Sequence, residues 1–136
     1  DDAIHFALAK QAEHIVLVPC CQAEVASVLR QHKNQQLSNP LTEIWRFPIH
    51  TREFGSHLTN VLRCLQLQAH GYSVSVTELV GWEHSMKNEL IIASRQRTPT
   101  GKIQYNHKAD DRLNELLKTF GLNELDTRFF TNTANQ

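Results

Sequence analysis

Cys20 and Cys21, followed by Gln22, are the first residues in the chain whose types suggest chemistry. A thiol becomes a nucleophile when a neighbouring base or charge lowers its pKa, and the sequence identifies no such base here. Zinc is the rival ligand, because the chain also holds eight histidines. Adjacent cysteines lack the spacing of structural zinc sites, so a small metal-binding domain is the weakest alternative. The three residues either contact a substrate or pack at a strand–helix junction.

A second polar cluster lies in a short segment between two strand-like runs and consists of Glu83, His84, Lys87 and Asn88. A Glu–His pair can position an acceptor nitrogen or hydroxyl, or remove its proton. Asn and Lys are also ordinary turn residues, and a solvated turn explains all four equally simply. Both interpretations stay open at the level of sequence.

Three strands are predicted to position these clusters. Residues 14–19 form a continuous apolar run, which is typical of a strand covered on both faces in a parallel sheet. Residues 72–80 alternate with period two, and 89–94 form a third strand that a short turn joins to the second as an antiparallel hairpin. Because a helical crossover separates the first two strands, we expect them to form a right-handed parallel unit. Residues 20–22 and the loop 81–88 should then lie at one edge of the sheet, where α/β folds bind ligands.

Four helices are predicted from apolar residues at helical spacing: 2–11, 22–32, 52–70 and 110–120. The third is the clearest, with Thr51 as its expected N-cap and Gly71 just beyond its C-terminal end.

The connection over 33–50 is long and contains Trp45 and Phe47. The sequence pattern predicts that these two aromatic side chains are exposed. They could stack an unpaired base or cover the edge of the core.

Composition narrows the class of protein. Lys plus Arg equals Asp plus Glu, 14 against 14, which argues against a free-standing nucleic-acid-binding module but not against an RNA substrate. The three cysteines form no disulfide framework, so we expect a reducing, cytoplasmic compartment. No apolar run reaches the roughly 18 residues of a membrane span, and we expect no membrane partner.

Two motifs carry a resemblance to a known family. The segment Val18-Pro-Cys-Cys-Gln22 follows the first strand, and Glu83-His-Ser-Met-Lys-Asn88 precedes the apolar run Leu90–Ala93. Together they resemble a family of class I S-adenosylmethionine-dependent methyltransferases with the patterns P-C-C-[HQ] and E-H-[ST]-P-K-N, some of whose distant relatives modify RNA. The resemblance covers residues 1–95, and 96–136 would be a C-terminal helical extension and tail. The sequence departs from the pattern at Met86, where the family has Pro.

This resemblance implies a partial Rossmann-like α/β fold: the late strands, a closing antiparallel hairpin and flanking helices, with the first half of the sheet missing. In the family that first half holds S-adenosylmethionine through a glycine-rich turn, and the five glycines here are scattered. The chain would supply the acceptor side of the site, formed by the two clusters above, and would be inactive alone.

Two further expectations follow from a partial sheet. The alternative to an enzyme is a non-catalytic binding or assembly module of methyltransferase ancestry. In either case the strand 14–19 would expose one edge, and exposed edges pair with other strands. We therefore expect a dimer or a swapped assembly through this strand.

Overall fold

The computed structural model describes residues 1–19, 23–32, 40–81, 83–84 and 88–129. The chain is a mixed α/β fold with a small sheet and flanking helices. Its elements, in order, are α1 (Asp2–Ala9), β1 (His14–Leu17), α2 (Glu24–Gln31), a 3-10 helix (Pro40–Trp45), α3 (Pro48–Ala69), β2 (Tyr72–Glu78), β3 (Glu89–Arg95), α4 (His107–Thr119), a short 3-10 turn (Asn123–Leu125) and α5 (Asp126–Phe129).

The sheet has the strand order β1-β3-β2, and both neighbouring pairs are antiparallel. The predicted hairpin of β2 with β3 is confirmed. β1 and β2 run in the same direction, as expected of strands joined by a helical crossover, but they do not pair with each other because β3 lies between them. β3 carries the run Leu90–Ala93, and its Ile91 and Ala93 are fully buried. β3 thus occupies the centre with two fully buried side chains, while β2, at one side of it, carries a serine or threonine at every second position.

One face of the sheet packs against helices. Ile15 of β1 and Ile91 of β3 lie in a cluster with Ile4 of α1 and Leu67 of α3. The opposite face is open in the described part of the chain, and Val16 on it is 61% exposed. The expectation that residues 14–19 are buried on both faces is therefore wrong, because one face of β1 is exposed. β1 is also an edge strand of the described sheet.

α3 begins earlier than the sequence predicted. Pro48 is its first residue, and Phe47, rather than Thr51, is the N-cap. Proline fits this position because the first amide of a helix needs no intrahelical acceptor. The Thr51 hydroxyl instead donates to the Trp45 carbonyl at 2.6 Å and fixes the preceding turn on the helix. Gly71 follows the C-terminal end at φ +81°, which confirms its predicted place.

A second core lies among the helices. Leu58 and Leu62 of α3 pack with Leu113 and Leu117 of α4 and with residues of α2. The predicted apolar faces of α3 and α4 are thus confirmed. Within the described ranges, none of the helices combines the length and the apolar character needed to cross a bilayer.

Candidate functional site

The candidate site lies at the end of the sheet where β1 and β2 finish and β3 starts. Leu17, Glu78 and Glu89 mark these strand ends, and we call this end of the sheet the rim. Leu17 lies opposite Ile91 in the register, and Glu78 lies opposite Glu89. Since both strands are antiparallel to β3, they run in the same direction and end at the same edge. The segments that follow them therefore leave the sheet together, although no direct parallel pair produces this arrangement.

The segment after β1 carries the first predicted cluster. Cys20, Cys21 and Gln22 lie outside the described residues, so their assignment to a substrate site stays a prediction. Val18, just before them, is 56% exposed at the end of β1. The rim is thus open to solvent where β1 ends.

Asn88 closes the loop between β2 and β3. Its side-chain amide donates to the Val80 carbonyl, and its own carbonyl accepts from the Leu79 amide at 2.6 Å. The side chain is buried, and its donor is spent on the backbone. Asn88 therefore shapes the loop, and its assignment to a substrate site stays a prediction.

Glu83 and His84 sit at the tip of this loop. The Glu83 carboxylate lies 3.7 Å from Nε2 of His84, and the two side chains are 60% and 72% exposed. The His84 amide donates to the Gly81 carbonyl in a tight turn. A Cβ at Gly81 would collide with the Glu83 carboxylate, so glycine allows this side chain to fold back. The pair can hydrogen-bond a ligand but is not enclosed. Lys87 lies outside the described residues.

A polar network beside the rim was not predicted. The Asn60 amide donates to Glu89 Oε2 at 2.7 Å, and Arg63 donates to Asn60 Oδ1 at 3.2 Å and to Asp1 Oδ1 at 2.7 Å. Asn60 is 5% exposed, so this network ties α3 to the first residue of β3. The sequence feature that could have indicated this network is a pair of polar residues three positions apart, Asn60 and Arg63, within the apolar pattern of α3.

Cys64 lies one helical turn beyond Asn60. Burial, reinforced by the Glu89 carboxylate, raises the pKa of this thiol to about 11. It is therefore protonated near neutral pH and is not an activated nucleophile.

The two aromatic residues of the long connection have different environments. Trp45 is 1% exposed, and its ring stacks on Phe54 at 5.4 Å between centroids. Its predicted exposure is wrong, and it covers the core rather than presenting a face to a base. Phe47 is 57% exposed and contacts only the edge of the His50 ring among the described aromatic side chains.

The described residues do not form a cradle for S-adenosylmethionine. Gly55 lies inside α3 against Ala26, Gly71 and Gly121 end helices at positive φ, and Gly81 accommodates Glu83. Each of these glycines is accounted for locally, and none forms a phosphate- or cofactor-binding turn between a strand and a helix. Across the described ranges, no three His, Cys, Asp or Glu side chains converge as metal ligands.

Residues 1–28 match a protein-family model described as a methyltransferase domain. The matched segment contains α1, β1 and the first part of α2. The resemblance predicted from the sequence is thereby confirmed over these residues, which is consistent with a partial methyltransferase domain. Comparison with curated proteins and with solved structures gave no significant match.

Proposed function

We propose that this chain is the acceptor-side part of an S-adenosylmethionine-dependent methyltransferase. The observation that carries the proposal is the family match over residues 1–28, whose strand β1 ends at the rim. The loop of Glu83 and His84 leaves the same edge. An acceptor bound there would contact segments from two strand ends, as ligands do in open α/β sheets.

The rim residues would act mainly by positioning the acceptor. Cys20, Cys21 and Gln22 would line one side, and Glu83, His84 and Lys87 the other. The Glu83–His84 pair could accept a hydrogen bond from an acceptor nitrogen or hydroxyl. Asn88 would hold the loop through Val80 without touching the acceptor. Holding two reactants in line supplies a large share of the catalysis of a group transfer.

S-adenosylmethionine would be held chiefly by residues outside this chain. The support is the absence of a glycine-rich turn from the sequence and the local explanation of four of its five glycines: Gly55, Gly71, Gly81 and Gly121. It follows that the isolated chain should neither bind the cofactor tightly nor transfer a methyl group. RNA is the acceptor class we propose, on the strength of the family resemblance, and a reducing cytoplasm is the proposed compartment.

The proposal is tested by comparing the full-length protein with this chain. Calorimetric titration with S-adenosylmethionine should show saturable binding to the full-length protein only. In the full-length protein, His84→Ala should lower methyl transfer from labelled cofactor to RNA. His14→Ala, an exposed histidine opposite Ser94 at the other end of the sheet, should leave it unchanged. Failure of the full-length protein to bind the cofactor would remove the enzyme hypothesis and favour the non-catalytic module.

Self-association through β1 is a separate part of the proposal. The Arg95 amide donates to the Glu13 carbonyl, so the backbone N–H and C=O groups of Glu13 point toward β3. Because these groups alternate in direction along a strand, those of Ile15 and Leu17 also point toward β3, and those of Val16 point away from the sheet. Val16 is also exposed as a side chain. An exposed apolar edge of this kind pairs with another strand. We propose that it pairs with β1 of a second copy.

Light scattering of the purified chain should therefore give twice the mass of a monomer. Val16→Lys should produce monomers, because a charged side chain blunts an edge. The matched control is Val76→Lys on β2, the opposite edge strand, where a valine is 52% exposed. A monomeric wild type, or equal disruption by both substitutions, would contradict pairing through β1.

A further inference from the structure

A cleft of about 730 Å³ opens at the other end of the sheet from the rim, where β2 begins and β3 ends. We call it the Tyr105 cleft. Its walls are the end of α3, the segment 96–99 after β3, and the segment 104–108 that leads into α4. Tyr72 forms part of the lining, and its hydroxyl is fixed by donation to the Ala12 carbonyl at 2.6 Å. The cleft is separate from the proposed methyl-acceptor site.

The charge of this cleft has one sign. The fully charged side chains that line it, Arg97 and Lys108, are both positive, and no carboxylate lines it. Arg97 is paired with Glu13, whereas Lys108 has no acidic partner within the described residues. Lys108 is therefore the unpaired charge among the described lining residues, and it can hold an anionic group of a ligand.

The hydrogen-bonding groups of the cleft are mostly amides. Gln68 accepts from Arg112 at 3.2 Å, and Asn106 caps α4 by accepting from the Ala109 amide. Gln96 and Gln104 make no side-chain hydrogen bond with the rest of the described chain, which leaves two donor–acceptor amides for a ligand. A side-chain amide can form two hydrogen bonds with a base, because the edge of a base carries a donor next to an acceptor.

An aromatic wall completes the cleft. The ring of Tyr105 lies 5.1 Å from that of His107 and 5.5 Å from that of His70. Its hydroxyl donates to Asp110 Oδ1 at 2.7 Å, which fixes the ring. Aromatic side chains bind unpaired bases through their faces and edges, with little dependence on sequence.

We propose that the Tyr105 cleft binds a nucleotide unit, with the base against Tyr105 and His107, its edge at Gln96 and Gln104, and its phosphate at Lys108. The volume falls within the range of pockets that hold small organic ligands. Those pockets are mostly apolar, whereas this one offers amides and a cation, as a charged polar ligand requires. The inference does not depend on methyl transfer.

Binding to the intact chain is measured by fluorescence anisotropy of labelled adenosine monophosphate and of a labelled single-stranded RNA octamer, with inorganic phosphate as a competitor. We expect saturable nucleotide binding and at least tenfold weaker competition by phosphate. Tighter binding of the octamer would identify the ligand as part of a strand, and equal affinity would identify a free nucleotide. No saturable binding, or phosphate competing as well as nucleotide, would overturn the proposal.

Two substitutions locate the binding. Lys108→Ala should weaken it about tenfold, the range expected for a charged hydrogen bond, and Gln104→Ala should weaken nucleotide but not phosphate. Lys118→Ala is the matched control, because Lys118 is an exposed lysine in the last turn of the same helix, outside the cleft. Circular dichroism melts would verify that all variants fold. If Lys118→Ala weakened binding as much as Lys108→Ala, the site would not be the Tyr105 cleft.

Discussion

Gly55 allows α2 and α3 to approach closely, and replacing it with alanine should destabilise the protein although alanine is the better helix former. A Cβ at this position would lie 2.7 Å from the Cβ of Ala26 and 2.8 Å from both its Cα and its amide nitrogen. Carbon atoms pack best at about 3.5–4.0 Å, so the helices would have to separate by about 0.8 Å. Two of the three overlaps involve backbone, which no side-chain rotation can relieve.

The two energetic effects of Gly55→Ala oppose one another. Alanine in a helix interior stabilises by about 1 kcal/mol relative to glycine. Overpacking a core costs about 1–3 kcal/mol, and backbone overlap belongs at the upper end of that range. Separation of the helices would also loosen the contacts of Val25, Val28 and Leu29, which are buried on α2. We expect a net loss of about 2 kcal/mol, or about 7 °C in the melting temperature.

Thermal melts followed by circular dichroism would measure this loss. His57→Ala, an exposed position two residues further along α3, is the control and should stay within about 0.5 kcal/mol of the wild type. The double variant Gly55→Ala/Ala26→Gly should not regain wild-type stability, because the backbone overlaps remain. A melting temperature for Gly55→Ala at or above that of the wild type would refute the close-approach argument.

Three other substitutions test separate features of the fold. Trp45→Ala should cost about 3–5 kcal/mol in a denaturant titration, while Phe47→Ala should change stability by less than about 0.5 kcal/mol, since only Trp45 is buried. Asn88→Ala should lose about 1–3 kcal/mol by leaving the Val80 carbonyl without its side-chain donor, with faster amide exchange in the loop. Folding raises the pKa of the Cys64 thiol from its ordinary value in an unfolded chain to about 11. The free energy of unfolding should therefore fall as pH rises from the pKa of the unfolded thiol to that of the folded one, because the unfolded thiol ionises first. Urea titrations at about pH 8 and about pH 10.5 would measure this fall, and Cys64→Ala should flatten it.

Part of the candidate site could be predicted from sequence because it depends on chain neighbours. Glu83 and His84 are adjacent, and their loop joins two strands that form the expected hairpin. The network of Asn60, Arg63 and Glu89 could not be predicted, since Glu89 lies 29 residues from Asn60 in the chain. The assignment of the predicted residues to a substrate site stays a prediction for all seven of them: Cys20, Cys21, Gln22, Glu83, His84, Lys87 and Asn88.

The sequence by itself determined the features that repeat over one helical turn or one strand. The apolar stripe of α3, the glycine that ends it and the pairing of β2 with β3 all follow from spacing or short connections. Residues 1–28 also carried enough of the family pattern to be matched. These features are local, so the free energy that specifies them comes from nearby residues.

Only the tertiary structure decided which strand lies at the centre, which aromatic side chain is buried, and where the Tyr105 cleft forms. β3 lies between β1 and β2 and buries Ile91 and Ala93 completely, whereas Val16 on β1 and Val76 on β2 stay exposed. Trp45 is buried because Phe54 and Phe120 from other segments surround it. Such outcomes depend on contacts between residues far apart in the chain, whose relative free energies no local pattern contains.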